Sequence, residues 1–269
     1  MSGQYTLGVI GTGAMGGALV RGFVQRGVVS AAEILVADAR AEAVEALAVA
    51  TGVHAAQSNS QVVSEAGSVL VALKPQILPE VLPGLPWQPG QLVISIAAGV
   101  NLERLQALTA AGQPIIRVMP NILATVAEAA SAYAHNDQVT ATQLEFAERL
   151  LASVGVAVSV PERLLDAVTG LSGSGPAFVA TFLEGLVDGG IAAGLPRADA
   201  LRLAAQTVLG VGRWVLATGG SPAQLREQVT SPGGTTIAGL RALEAGGLRS
   251  ATIEAVVAAA QRSRELGGG

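Results

Sequence analysis

Gly11, Gly13 and Gly16 form a Gly-x-Gly-x-x-Gly run inside GTGAMGG (Gly11–Gly17). The run directly follows the apolar segment Leu7–Ile10 and opens a helical pattern. In that context it suits a dinucleotide pyrophosphate: Gly11 permits a tight turn, Gly13 lets the backbone approach the phosphates, and Gly16 lets helix and strand pack closely. The backbone of Ala14 and Met15, in the first helical turn, then presents free N–H groups and a partial positive charge. Near the other end, Ser231-Pro232-Gly233-Gly234-Thr235-Thr236 leads into a second helix start. Its exposed N–H groups and hydroxyls make a cradle for a small anion such as a carboxylate. The plainer reading is a capped helix after a Gly-rich turn. Together the two runs point to a hydride donor and a small acid brought together.

Further candidates lie between them. Asp38 stands 22 positions after Gly16 at the end of a second apolar run, where a carboxylate accepts from an adenosine ribose and favours NADH. Arg40 lies two residues on and suits a 2′-phosphate, which favours NADPH; the two cues conflict. Asn59 reaches toward the adenosine side or caps the next helix. Three loops follow strand-like runs: Lys74-Pro75 after VLVAL, Ala97-Ala98-Gly99 after LVISI, and Met119-Pro120-Asn121 after IIRV. Ligands of open α/β sheets sit beyond such strand ends. Ala97 and its small neighbours let a flat ring lie against the backbone. Lys74 orients the nicotinamide ribose, draws in an acidic substrate, or is simply solvated. Asn121 holds the nicotinamide amide or a substrate group, or serves the turn after Pro120.

The elements that must hold these residues are legible in outline. Strand-like runs at Tyr5–Ile10, Ile34–Ala37, Ser68–Ala72, Leu92–Ile96, Ile115–Val118 and Val154–Val160 alternate with helical runs, among them Ala14–Gln25, Ala41–Ala50, Asn101–Ala107 and Ala141–Ala152. That alternation predicts an α/β domain with a mostly parallel sheet over residues 1–161. From residue 162 to 269 the pattern is all helical: Arg163 to about Gly170, Pro176–Gly194, Arg197–Leu216, Pro222–Val229, Thr235–Glu244 and Leu248–Leu266. So many apolar helices in so short a stretch cannot all hide their faces, so we expect burial against a second copy of the chain.

Composition narrows the class. The chain of 269 residues has no Cys, which excludes disulfides and thiolate chemistry. A net charge of −4, without a Lys/Arg cluster, argues against nucleic acid and membrane surfaces. The N-terminal MSGQYTLGVI has no basic leader pattern, and the longest apolar stretch carries Glu184 and Asp188, so a cytoplasmic protein is expected. His54 and His135 have no metal-ligand partners at zinc-type spacing, and no metal is expected. Half the residues are apolar but only 3% aromatic, which reflects either close helix packing or codon bias.

The chain closely resembles the pyrroline-5-carboxylate reductases. The resemblance is carried by LSGSGPAFVATFLEGLVDGGIAAGLPRADALRLAAQTVLG (171–210) and QVTSPGGTTIAGLRALEAGGLRSATIEAVVAAAQRSREL (228–266), with GTGAMGGAL, VALKPQ, SIAAGV and RVMPN in the family's order. It implies a Rossmann-type N-terminal domain, an all-α C-terminal dimerisation domain, NADPH or NADH as cofactor, and reduction of the cyclic imine acid 1-pyrroline-5-carboxylate to L-proline. It also implies homodimers with interlocked helical domains, larger rings such as a decamer, and an active site formed by one subunit's dinucleotide domain with its partner's helices. Ser231, Gly233, Gly234 and Thr235 then hold the carboxylate, and Thr236 hydrogen-bonds the ring nitrogen or relays its proton, with Lys74 assisting. The sequence departs from the family at Asn121-Ile122-Leu123, usually Asn-Thr-Pro, and at Asp38-Ala39-Arg40, where many relatives carry hydroxyl or basic residues. The alternatives are an imine reductase or hydroxyacid dehydrogenase of the same architecture, or a non-catalytic dinucleotide-binding regulator. Against the hydroxyacid enzyme, no lysine follows residue 161 to protonate an alkoxide; against the regulator, no basic DNA-binding helix is present.

Overall fold

A computed structural model describes residues 4–267; the first three residues, on which the leaderless reading partly falls, and the last two lie outside it. In chain order the first part comprises β1 (Tyr5–Ile10), α1 (Ala14–Gln25), β2 (Ile34–Ala37), α2 (Ala41–Thr51), β3 (His54–Ala55), α3 (Asn59–Glu65), β4 (Ala66–Val71), α4 (Leu78–Val81), β5 (Leu92–Ser95), α5 (Leu102–Leu108), β6 (Ile115–Met119), β7 (Ala129–His135), α6 (Ala141–Ala152) and β8 (Gly155–Ser159). The eight strands form one sheet in the order β3-β2-β1-β4-β5-β6-β7-β8. Every neighbouring pair is parallel except β6 and β7, where Met119 faces Ala132 and Ile116 faces His135 in antiparallel register.

Side chains alternate across this sheet as the period of two requires. Leu7 and Val9 of β1 and Leu70 of β4 pack with Leu19 and Phe23 of α1 and Phe146 of α6 on one face. Ile10, Val69 and Val71 pack with Val62 of α3, Leu78 of α4 and Leu105 of α5 on the other. Covering both faces explains why these strands read as continuous apolar runs rather than alternating ones.

The remaining elements are α7 (Leu165–Val168), α8 (Gly175–Ala192), α9 (Arg197–Thr218), α10 (Pro222–Gln228), α11 (Thr235–Ala245) and α12 (Leu248–Gly267). The chain divides into two compact units: residues up to Ser174 with those from Ala258 onward, and Gly175–Val257. The first unit thus runs past position 161 because the segment after β8 folds back onto the sheet. Leu165 is fully buried against Ala132 and Ala134, and the Glu162 carboxylate accepts from the buried Arg117 guanidinium at 3.0 Å and from the Leu102 backbone N–H at 2.7 Å. A π-helical turn at Thr169–Gly173 follows α7.

The second unit is helical throughout. Its internal core is small, Val187 of α8 with Ala200 and Ala204 of α9. Large apolar side chains remain exposed on the single chain, among them Phe182, Leu203, Leu209 and Ile237, and Leu216 at 73%. Among the described residues no helix is long and apolar enough to cross a membrane.

Candidate active site

The glycine turn joins β1 to α1 as its spacing predicts. Gly11 adopts φ +101°, and a Cβ there would overlap the Ala72 carbonyl at the end of β4. A Cβ on Gly16 would overlap the Gly11 carbonyl, so only glycine lets α1 lie this close to the turn. Gly13 is different: a Cβ there meets nothing nearer than the Arg40 guanidinium at 4.0 Å. The space in front of Gly13 is open, so nothing in the fold around it requires glycine there.

The helix ends sharpen this distinction. Ser58, Asn101, Thr140 and Ser221 cap α3, α5, α6 and α10 with their own side chains. Helices α2 and α9 have no side-chain cap but carry Glu42 and Asp199 in their first turns. Helices α1 and α11 have glycine at the cap, Gly13 and Gly234, no side-chain cap bond, and no acidic residue in the first turn. Their first-turn N–H groups thus have no side-chain cap, a setting that suits an anion. The residues around Gly13 therefore fit a dinucleotide pyrophosphate, with Ala14 and Met15 contributing the first-turn N–H groups.

Asp38 ends β2 beside the turn. Its Oδ2 accepts from the Thr12 N–H at 2.7 Å and the Thr12 hydroxyl at 3.3 Å, and its Oδ1 from the Arg40 N–H at 3.0 Å. The Arg40 side chain, 65% exposed, lies 3.6 Å from Oδ1 through Nε. Partial burial pushes the Asp38 carboxyl up, but the N–H groups of Arg40 and Thr12 and the Arg40 charge outweigh it and hold it below its usual value. The carboxylate is thus largely engaged by the turn, whereas the guanidinium faces outward at the lip.

The other sequence candidates in this unit divide between open and engaged positions. Lys74, the chain's single lysine, is exposed immediately after β4 and precedes a turn at Pro75–Ile77. Ala97 is buried and Ala98 exposed in the loop after β5, where Gly99 takes φ +74°. Asn121 is 4% exposed: its Oδ1 accepts from Leu123 and Ala130 N–H groups, and its Nδ2 donates to the Ser172 carbonyl at 3.0 Å. One N–H at most is left for a ligand. Asn59 is the first residue of α3, whose cap is Ser58, accepting from Gln61 N–H. A separate cleft of about 460 Å³, lined by Gln88, Gln91 and Gln143, lies at the start of β4 and α6, away from the glycine turn.

In the second unit, Gly233 at φ +68° turns the chain into α11. The Ser231 carbonyl accepts from the Gly234 N–H at 3.1 Å, and the Ser231 hydroxyl sits where a Gly234 Cβ would stand. Thr235 is exposed and Thr236 half-buried at the helix tip. The loop therefore gathers the Ser231 hydroxyl and the uncapped N–H groups that open α11, a donor set that suits a carboxylate.

Residues 162–266 match the family model described as pyrroline-5-carboxylate reductase dimerisation, and residues 6–99 that of NADP oxidoreductase, coenzyme F420-dependent. A pyrroline-5-carboxylate reductase from a Synechocystis species is 46% identical across 97% of this chain and 98% of its own. The chain belongs to the pyrroline-5-carboxylate reductase family. Among solved members, the reductase of Coxiella burnetii superposes with a TM-score of 0.92 at 34% identity, covering 98% of each chain. That of Plasmodium falciparum, solved with NADP bound, gives 0.87 at 29% identity, covering 99% of this chain and 100% of its own. The reductase family membership agrees with the α/β-plus-helical fold read from the sequence.

Sequence reasoning did not find three contacts that brace the candidate site: Asn121 to Ser172, Arg117 to Glu162, and Ser263 to Asp166, whose hydroxyl–carboxylate distance is 2.7 Å. Each joins residues at least 45 positions apart. The buried charge of Arg117, inside an otherwise apolar strand, is the single cue the sequence offered.

Proposed function

We propose that this chain catalyses the reduction of 1-pyrroline-5-carboxylate to L-proline with NADPH or NADH, acting as a homo-oligomer in the cytoplasm. The observation that carries the proposal is the pair of glycine-capped, carboxylate-free helix ends at Gly13 and Gly234, set in a chain of this family. Gly11, Gly13, Ala14, Met15 and Gly16 hold the pyrophosphate. Asp38, Arg40 and Asn59 serve the adenosine end, and Lys74, Ala97 and Asn121 the nicotinamide end. Bound NAD(P)H supplies the hydride that the imine carbon accepts.

The protein's share of the chemistry is positioning. The uncapped N–H groups that open α11 at Thr235, with the Ser231 hydroxyl and the turn through Gly233 and Gly234, hold the substrate carboxylate, the Gly234 N–H being taken by the Ser231 carbonyl. The Thr236 hydroxyl hydrogen-bonds the ring nitrogen as it passes from iminium to amine. A protonated imine is already electrophilic, so the site needs no strong base, and alignment alone contributes roughly 7–11 kcal/mol. The dimerisation match over residues 162–266 and the exposed apolar helix faces support assembly through residues 162–269, with interlocked helices and a ring such as a decamer as its finer form.

The test follows NADPH and NADH consumption at 340 nm with racemic pyrroline-5-carboxylate, with proline quantified as product. Turnover of one enantiomer with stoichiometric proline is expected. Oxidation of NAD(P)H by other cyclic imines or 2-oxo acids, but not by this substrate, would move the chain to the imine reductase or hydroxyacid dehydrogenase reading.

A further inference from the structure

The loop Ala97-Ala98-Gly99 is a weak structural element taken alone. Its side chains amount to two methyl groups, and Gly99 sits at φ +74°. Ala97 is buried in the core, but Ala98 is exposed and Gly99 carries no side chain, so the second half of the loop has no side-chain packing of its own to fix its shape. Something else must hold it if a flat ring is to rest on it.

Three contacts do so. On the strand side, the Ala97 N–H donates to the Ser95 hydroxyl at 3.3 Å. On the helix side, the Leu102 N–H donates to Glu162, which Arg117 anchors. The third comes from the far end of the chain. Residues from Ala258 onward cluster with the dinucleotide unit, although α12 begins in the helical one. In this last stretch Ala260 and Ser263 are buried and Gly267 half-buried, at the i, i+3, i+7 spacing of one helix face. The Ser263 hydroxyl donates to Asp166 of α7, which fixes the helix at that turn. One turn later, Gly267 meets Gly99 backbone to backbone: a Cβ on Gly99 would stand 3.5 Å from the Gly267 Cα, and a Cβ on Gly267 3.0 Å from the Gly99 carbonyl oxygen.

We infer that the final turn of α12 is the backstop of the nicotinamide loop, with Gly267 as a positioning residue for the cofactor and Ser263 as the latch that seats it. The inference rests on the reading of residues 97–99 as the nicotinamide platform. The two glycines make the fit specific. Any side chain at 267 pushes into the Gly99 carbonyl, and loss of the turn leaves that carbonyl without its neighbour. A loosened platform must be re-ordered at each binding event, and ordering costs affinity rather than turnover.

The experiment compares Gly267→Val, Ser263→Ala and a chain ending at Arg262 with the full-length protein. NADPH dissociation constants are taken from cofactor fluorescence without substrate, steady-state kinetics give KM and kcat, and hydrogen exchange reports the amides of residues 97–100. NADPH binding is expected to weaken roughly three- to tenfold in each variant, with faster exchange at 97–100. At saturating NADPH, kcat and the KM for pyrroline-5-carboxylate should stay as in the full chain, and Ser263→Thr should restore affinity. Should the shortened chain fail to fold, the two point variants decide the matter. Ala98→Phe separates the two levels of the argument. If it leaves NADPH affinity unchanged, the platform reading itself is lost, and the backstop with it. If it abolishes affinity while Gly267→Val and Ser263→Ala leave both affinity and exchange unchanged, the backstop alone is overturned.

Discussion

Thr12 and Asp38 are joined twice: the Thr12 N–H donates to Asp38 Oδ2 at 2.7 Å, and the Thr12 hydroxyl reaches the same oxygen at 3.3 Å. The bond ties the glycine turn to the end of β2. It also gives the turn a dependence on acid. The folded-state pKa of Asp38 lies below its ordinary 3.8. Its stabilising contribution is therefore complete above that value and is lost as pH falls through the lowered one. Replacing Asp38 by Asn should cost about 1–2 kcal/mol at pH 7, and the gap should close below pH 3.8. Denaturant melts at both pH values measure it; a gap that widens in acid would refute the assignment.

Arg40 faces outward where Asp38 is engaged. Arg40→Ala should raise the KM for NADPH about tenfold, the scale of one charge-assisted phosphate contact, while the KM for NADH changes little. Equal effects on both cofactors would remove Arg40 from the 2′-phosphate. Because its side chain is exposed, thermal stability should be unaffected.

Gly13 and Gly16 separate binding from folding. At Gly13 a new side chain meets open space, so Gly13→Asp should keep the melting temperature but abolish measurable NADPH binding through crowding and charge repulsion. At Gly16 even a methyl group overlaps the Gly11 carbonyl, so Gly16→Ala should lower stability by about 1–3 kcal/mol. Calorimetry with cofactor titration distinguishes the two, and the prediction fails if Gly13→Asp melts as early as Gly16→Ala.

Thr236 supplies the only side chain assigned to the ring nitrogen. Thr236→Ala should lower kcat roughly 10- to 100-fold, the range for losing one transition-state hydrogen bond, with NADPH affinity unchanged. Thr236→Ser keeps the hydroxyl and should retain most activity. Full turnover by the alanine variant would leave the hydroxyl without a chemical role.

Much of this arrangement is written in short-range pattern. β1, α1, β2 and α6 form at the expected residues because apolar runs, a glycine turn and a Thr–Gln capping pair are local signals. β7 escaped notice because AASAYAH lacks the branched residues that mark strands; its neighbours β6 and β8 make it one. The glycine turn and the 231–236 loop were legible for the same local reason. The engagement of Asn121 by Ser172 was not: the two lie 51 positions apart, and nothing in either neighbourhood names the other. The folding of residues 162–174 onto the sheet was equally hidden, since Leu165 reads as an ordinary helical residue until Ala132 and Ala134 are placed beneath it.

The helical unit keeps only Val187, Ala200 and Ala204 well covered within itself, while Leu203, Leu209 and Leu216 face outward. For a dimerisation fold this makes stability a matter of mass action. The midpoint of thermal unfolding should climb as protein concentration rises, and strong dilution should deplete native molecules even in benign buffer. Activity assays run at nanomolar enzyme would then report the association equilibrium as much as the chemistry.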